Sequence, residues 1–415
     1  MTLDPRLRED ERLEGIRIPL NQADANAPLT VMLVAAEASG DILGADLAAA
    51  LRRRLGDGVR FIGVGGARMA EQGIASPFPI SELSILGIFE GVRAYPRVKR
   101  RVRDTVELAR CERPDAAVLI DSWGFTLRVA HGLRRLDPDM ALIKYVGPQV
   151  WASRPGRAKT LAAAVDHLLA IHTFDVPWFE RAGLKTTFVG NSTLARPVAR
   201  DGGPRFRARI GAGPDTPILL ILPGSRPSEI ARVLPPFRDA AMKLKAERPD
   251  LRLVLPVAGT VAEQVQAQVS TWPHPPLLIE DDAGKLDAMA GATVALACSG
   301  SVTTELALSG CPMVVAYKVG PLTYQVAKRL VTTRYITLFN IAADAAVAPE
   351  LIQNDCTGDK LAAELALRLD DPALRARQIA AQDAALEAMG RDPVLVPANR
   401  AADAVLAVLR ARGRV

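Results

Sequence analysis

One repeated unit constrains this chain more than any other feature. An apolar run of strand length leads into a turn rich in Gly, Ser and acidic residues, and a helix-forming stretch follows. Leu29–Ala36 (LTVMLVAA) opens the series; Glu-Ala-Ser-Gly-Asp and an alanine/leucine helix through Leu55 come next. Arg60–Val64, Ala116–Ile120, Ala141–Val146, His167–Ile171 and Thr186–Val189 read as further strands. Strands that are apolar throughout, alternating with helices, belong to a parallel sheet covered on both faces. The pattern breaks over 191–217, at Pro197, Gly202-Gly203-Pro204 and Gly213-Pro214, and a junction is expected near 191–200. A second series then starts, with strands at Pro217–Leu222, Leu251–Pro256, Pro276–Glu280, Thr293–Ala297 and Pro312–Ala316. The alanine-rich Met289–Leu296 leaves one helix/strand boundary open, while Asp359–Leu369, Ala373–Leu386 and Ala398–Leu409 read as helices.

The 415 residues suit two or three domains at roughly 100–200 residues each. The expectation is a poorly ordered polar lead-in (1–28), a first α/β domain (29–195) and a second (196–389). The C-terminal helices, about 390–415, are assigned back to the first domain, of the same chain or of a partner. Ligands of such sheets bind beyond the carboxyl ends of the strands, and two facing domains make a cleft.

Composition narrows the chemistry. Hydrophobic residues are 49% and charged ones 24%, a globular balance, and with 5% aromatics the core must be mainly aliphatic. No apolar run approaches the ~20 residues of a spanning helix. The charged N-terminus lacks a secretory h-region, so a cytosolic protein is expected. The four cysteines form no C-x-x-C pair and the four histidines no H-E-x-x-H. A carboxylate base or a backbone-built anion site is therefore expected, with no metal cage. The charge of +6 favours anionic partners.

The turns supply the candidates. Glu37, Ser39 and Asp41 put three polar groups on the first strand-to-helix turn, as a helix cap or as a site. Gly63-Val64-Gly65-Gly66 is no G-x-G-x-x-G fingerprint and reads as a close backbone approach or an ordinary turn. Asp121 ends an apolar strand, where it suits a general base pointing into the cleft and equally a helix cap. Gln149, Trp151 and Arg154 follow another strand and suit a turn or a saccharide or phosphate contact. Gly224-Ser225-Arg226 opens the second domain's first turn as a phosphate loop, although no Walker G-K-[ST] follows. Ser299, Gly300, Ser301, Thr303, Thr304 and Glu305 form a second anion nest with a carboxylate for ribose hydroxyls, or a capping arrangement. Two nests in one domain point to a nucleotide diphosphate. Ile85, Leu86, Ile88 and Phe89 precede Arg93, Arg97, Lys99, Arg100 and Arg101. From Val92 to Arg113 there are eight bases against three acids. This suits an anionic membrane surface, or a helix with a solvated basic face; no motif points to nucleic acid.

Taken together, AEASGDILGA (36–45), GVGGARM (63–69), LSILGIFE (83–90), GPQVWASRPGR (147–157), FVGN (188–191), LPGSR (222–226), SGSVTTELAL (299–308), CPMVVAYK (311–318) and VAKRL (326–330) resemble bacterial lipid-A-disaccharide synthases from residue 29 onward. The resemblance implies an inverting glycosyltransferase of the GT-B type, with two Rossmann-like doubly wound parallel-sheet domains across a cleft. It implies condensation of UDP-2,3-diacylglucosamine with 2,3-diacylglucosamine 1-phosphate (lipid X), β-1′,6 linkage and release of UDP, with no cofactor and no obligatory metal. The place implied is the cytoplasmic face of the inner membrane, peripherally bound; a homodimer is left open. Carried over, Asp121 is the proposed base, with Glu37, Ser39 and Asp41 near the reacting sugar. Gly224–Arg226, Ser299–Glu305 and Asn340 form the donor-UDP site, and 85–103 is the membrane element. The chain departs from the family pattern at Trp123, Gly124, Ser153, Asn191 and Phe339. Two other readings stay open: another UDP-sugar enzyme, such as a different glycosyltransferase or a UDP-N-acetylglucosamine 2-epimerase, and a non-catalytic membrane-associated UDP-binding protein.

Overall fold

In the computed structural model, residues 28–83, 88–196 and 200–414 are described. The first half runs β1 (Leu29–Val34), α1 (Ala38–Leu55), β2 (Val59–Val64), α2 (Ala67–Ala70), α3 (Ile88–Glu112), β3 (Ala116–Ile120), α4 (Trp123–Leu136), β4 (Ala141–Tyr145), α5 (Arg157–Ala162), β5 (His167–Ala170), α6 (Val176–Glu180) and β6 (Lys185–Phe188). The second runs α7 (Gly202–Arg209), β7 (Ile218–Leu222), α8 (Pro227–Glu247), β8 (Arg252–Pro256), α9 (Ala262–Val269), β9 (Leu277–Ile279), α10 (Asp282–Gly291), β10 (Val294–Cys298), α11 (Ser301–Leu308), β11 (Met313–Tyr317), α12 (Pro321–Leu330), α13 (Leu338–Ala343) and β12 (Glu350–Ile352). Three helices finish the chain: α14 (Gly358–Asp370), α15 (Pro372–Ala388) and α16 (Pro397–Arg410).

The continuous apolar runs have a plain cause. Side chains alternate across a strand. In β1, Val31 and Leu33 join the core against α1 and α16, while Met32 and Val34 join the core against α3 and α4. Both faces are covered, so both parities must be apolar. Each fully buried Leu, Val or Ile contributes roughly 1.5–3 kcal/mol. The second sheet repeats the scheme, with Leu219 and Ile221 on one face and Ile218 and Leu220 on the other.

All strand pairs are parallel, in the orders β2-β1-β3-β4-β5-β6 and β12-β11-β10-β7-β8-β9. In each sheet the chain winds outward from its first strand and later crosses back to that strand's other side. The crossing leaves a crevice at the carboxyl ends of β1 and β3 in one sheet and of β7 and β10 in the other. Those four ends carry Glu37, Asp121, the Gly224–Arg226 turn and the Ser299–Ser301 turn.

β12, a three-residue edge strand, has no counterpart in the sequence reading. The C-terminal helices divide. α15 stays on the second sheet, where Gln378 and Gln382 donate to the carbonyls of Met313 and Cys311. α16 returns to the first domain of the same chain: Ala401, Val405 and Leu409 pack with Val31 and Leu33, and Arg54 pairs with Asp403 at 2.6 Å. Residues 1–27 of the lead-in, Pro197 in the linker, and Ile85 and Leu86 of the apolar patch lie outside the described residues, as do the side chains of Ile88, Phe89 and Arg93.

Candidate active site

On the first domain's rim, Asp121 continues β3 by one bond, its N–H donating to the Tyr145 carbonyl at 2.8 Å. The chain then turns through two left-handed residues, Asp121 (φ 46°) and Ser122 (φ 41°), before α4. Non-glycine residues there carry strain of order 1–3 kcal/mol each, and persist where the surroundings over-determine them. Here the Thr126 hydroxyl lies 2.8 Å from the Asp121 carbonyl and 3.0 Å from that of Ser122. The Asp121 carbonyl also receives Lys144 Nζ from β4. Lys144 is 2% exposed, and burial pushes its ammonium down to about 7 against the pull of Asp121. Sequence reasoning missed this lysine, because Ala141–Val146 was read as one more apolar strand of a sheet covered on both faces.

Glu37 follows β1 in extended conformation ahead of α1 and makes no cap hydrogen bond. The residue is exposed. Desolvation raises its pKa first, the Asp121 charge raises it further, and Arg226 of the second domain pulls it down. An acid of one domain thus senses both a neighbouring acid and the opposing domain's arginine. Ser39 is exposed in the first turn of α1.

The second rim holds a cavity of about 290 Å³, lined by Gly224, Ser225, Arg226 and Glu229, by the ends of β8 and β9, and by Lys285 and Cys298–Val302. Gly224 adopts φ 107°, and a Cβ there would meet the Glu229 carboxylate at 2.6 Å. That carboxylate sits against the turn, accepting from the Ser225 N–H at 3.3 Å and pairing with Arg226 at 3.1 Å. Glu305 pairs with Lys285 at 2.7 Å. Neither Glu229 nor Lys285 was singled out from sequence: Glu229 looks like an ordinary first-turn helix acid, and Lys285 reaches a partner 20 residues away. A larger depression of about 560 Å³ lies around the amino ends of β8 and β9, away from these turns. Among the described residues no group of three His, Cys, Asp or Glu is gathered for a metal ion.

Five expected site residues are engaged within the fold, and a sixth is buried. Asp41 is buried, and its carboxylate accepts the N–H groups of Gly66, Arg68 and Met69 at 2.7–3.0 Å. It ties α2 to α1, and Gly66 lets the backbone approach, since a Cβ would stand 2.7 Å from Asp41. Trp151 is buried, donating to Asp175 at 2.7 Å and meeting Phe174 edge-on. The Thr303 hydroxyl lies 2.8 Å from the Gly300 carbonyl, and the Thr304 hydroxyl is buried without a partner. Asn340 is fully buried, bridging Ala348 and Glu350 at 2.8–3.0 Å. Arg101 turns from the basic face to pair with Glu82 and Asp104 and cover Phe78. For Asp41, Trp151, Asn340 and the Glu82 pair of Arg101 the partners lie 8 to 28 residues along the chain. Of the loop after β4, Gln149 and Arg154 remain exposed.

The residues that depart from the family pattern have structural partners. Trp123 lies under the Arg157 guanidinium, 5.2 Å from it. Ser153 bridges Val331 of the second half, Asn191 meets His172 at 3.2 Å, and Phe339 is buried in the second core.

Comparison with known proteins gives the family. The family described as lipid-A-disaccharide synthetase matches residues 31–395. The lipid-A-disaccharide synthase of Rhodospirillum centenum is 43% identical over 385 residues, covering 93% of this chain and 96% of that one. That of Paramagnetospirillum magneticum is 43% identical over 384 residues, covering 92% and 98%. Among solved structures, a UDP-GlcNAc 2-epimerase from Neisseria meningitidis bound to UDP-GlcNAc has the same GT-B fold, with a TM-score of 0.59 over 92% of this chain and 100% of that one. At 12% identity it shows the fold alone. The chain belongs to the lipid-A-disaccharide synthase family, glycosyltransferases of lipid A biosynthesis.

Proposed function

We propose that the chain condenses UDP-2,3-diacylglucosamine with 2,3-diacylglucosamine 1-phosphate by a single inverting displacement. The acceptor's 6-hydroxyl oxygen bonds to the donor's anomeric carbon as the bond from that carbon to the diphosphate oxygen breaks. The hydroxyl proton passes to Asp121, and the electron pair leaves with UDP. The observation that carries this reading is the placement of Glu37 and Asp121 at the ends of β1 and β3 and of the Gly224–Arg226 and Ser299–Ser301 turns at the ends of β7 and β10, with the Arg226 charge acting on Glu37. Base and leaving-group stabiliser stand on opposite domains, with the sugars between them. Arg226 and the N–H groups of the Gly224–Arg226 and Ser299–Ser301 turns meet the developing charge on UDP, with no metal or cofactor assigned to that task. Glu305 keeps lone pairs beside Lys285 for ribose hydroxyls. Glu37 and Ser39 hold sugar hydroxyls, and Arg154 and Arg157 face the acceptor phosphate. Incubation with both lipids, read by mass spectrometry, is expected to give the disaccharide 1-phosphate and UDP, with a β anomeric coupling by NMR. Absence of a lipid product rejects the reading.

The enzyme meets its lipids as a peripheral protein of the cytoplasmic face of the inner membrane. Among the described residues no helix is long and apolar enough to cross a membrane. On α3, Arg97, Lys99 and Arg100 are exposed beside Tyr95, which is 48% exposed. A basic side chain near an anionic surface contributes about 1 kcal/mol. Changing the three to Gln is expected to weaken sedimentation with anionic vesicles by on the order of a hundredfold. Unchanged binding would remove α3 from the docking surface.

A further inference from the structure

We propose that Lys144 is a positioning residue for the transfer, holding the left-handed turn that presents the Asp121 carboxylate to the cleft. The inference rests on the reading of Asp121 as the base. Three observations carry it. The first is placement. Lys144 projects from a central strand into a face otherwise filled by residues such as Leu119, Leu142 and Leu168, and is 2% exposed. A buried ammonium needs compensation, yet among the described residues it forms no ion pair, and the acid that acts on it is Asp121.

The second is where its donors go. Lys144 Nζ donates to the main-chain carbonyl of Asp121 and, at 2.9 Å, to the Thr126 hydroxyl. The Thr126 hydroxyl in turn reaches the carbonyls of Asp121 and Ser122. The lysine, the threonine and the two carbonyls close one network. The third is what that network holds. Its carbonyls belong to the two residues at φ 46° and 41°, between β3 and α4. A hydroxyl donates one proton, so Thr126 holds one of these carbonyls at a time. Lys144 grips the Asp121 carbonyl and leaves the threonine free for Ser122. Without the lysine, the turn is free to relax toward an extended conformation and carry the carboxylate away from the acceptor. A displacement of about 1 Å in a reacting group costs on the order of a hundredfold in rate.

Lys144→Met keeps the length and burial of the side chain and removes the donors. Turnover is expected to fall at least tenfold, while KM for both lipid substrates and the affinity for UDP stay within about twofold and the melting temperature does not drop. Thr126→Val, a near-isosteric change on the opposite side of the network, is expected to lower turnover in the same pattern. It decides the case if Lys144→Met does not fold. Unchanged turnover in a folded variant overturns the proposal, as does a rise in KM at constant turnover. A turnover loss that follows lost UDP binding or a lowered melting temperature assigns the network to stability alone and also overturns it. Asp121→Asn in the same assay separates the two readings. If Asp121→Asn is fully active, the base assignment has failed. If Asp121→Asn is inactive while Lys144→Met is fully active, only the present inference has failed.

Discussion

Asp121→Asn is expected to lower turnover by about a hundredfold to ten-thousandfold, the range of a lost general base. The amide has nearly the shape of the carboxylate, and the carbonyl contacts of Lys144 and Thr126 are main-chain at this residue, so the turn survives the change. UDP affinity should hold, because the cavity proposed for the diphosphate is built on β7 to β10 of the other domain. The comparison that sharpens the test is Glu37→Gln. Glu37 is the other acid on this rim, and burial and Asp121 raise its pKa. If Glu37 were the base, Glu37→Gln would be the inactive variant and Asp121→Asn would keep turnover. Rates of UDP release across pH with both variants decide between them.

Arg226→Ala is expected to weaken UDP binding by roughly tenfold to a hundredfold, the value of a charge-assisted contact. Turnover should fall by on the order of 10²–10³, the range of a lost oxyanion-type donor. The fold should not suffer. The Arg226 side chain is 71% exposed, and its pair with Glu229 is of the surface kind that contributes about 0–1 kcal/mol. Calorimetry with UDP and a melting curve separate these effects. Lys at the same position is expected to restore only part of the loss, because an ammonium cannot take a diphosphate bidentately. The two domains are also linked through charge. Arg226 lowers the Glu37 pKa, so its removal lets that pKa rise, and Glu37 then ionises at higher pH. The acid limb of any activity that needs ionised Glu37 should shift toward higher pH in Arg226→Ala. A limb that stays in place would show that the domains stand too far apart in solution for the charge to be felt.

The repeat of strand, turn and helix was legible because a strand covered on both faces must be apolar at every position. That local rule gave the parallel sheets, and with them the four strand ends where Glu37, Asp121, Gly224–Arg226 and Ser299–Ser301 lie. Gly224 was read as a close backbone approach to an anion, and the structure adds that its φ of 107° and the Glu229 carboxylate leave no room for a side chain. Within those turns, however, sequence displayed polar groups without showing which were already engaged. Asp41 and Asp121 both look like acids at the mouth of a strand. One is buried under three N–H groups of a loop some 25 residues away, and the other is half-buried at the end of β3. Asn340, Trp151 and Arg101 likewise have partners that sequence did not display.

By itself, then, the sequence determined the architecture, the family and a short list of candidate turns. These follow from local periodicity and from motifs read along the chain. Tertiary structure decided which members of the list are engaged within the fold, that α16 returns to its own first domain, and that Lys144 donates to the Asp121 carbonyl. Those outcomes depend on hydrogen-bond and charge partners brought together by strand order. Whether a polar side chain is free to act is a property of its neighbours in space, which spacing along the chain does not encode.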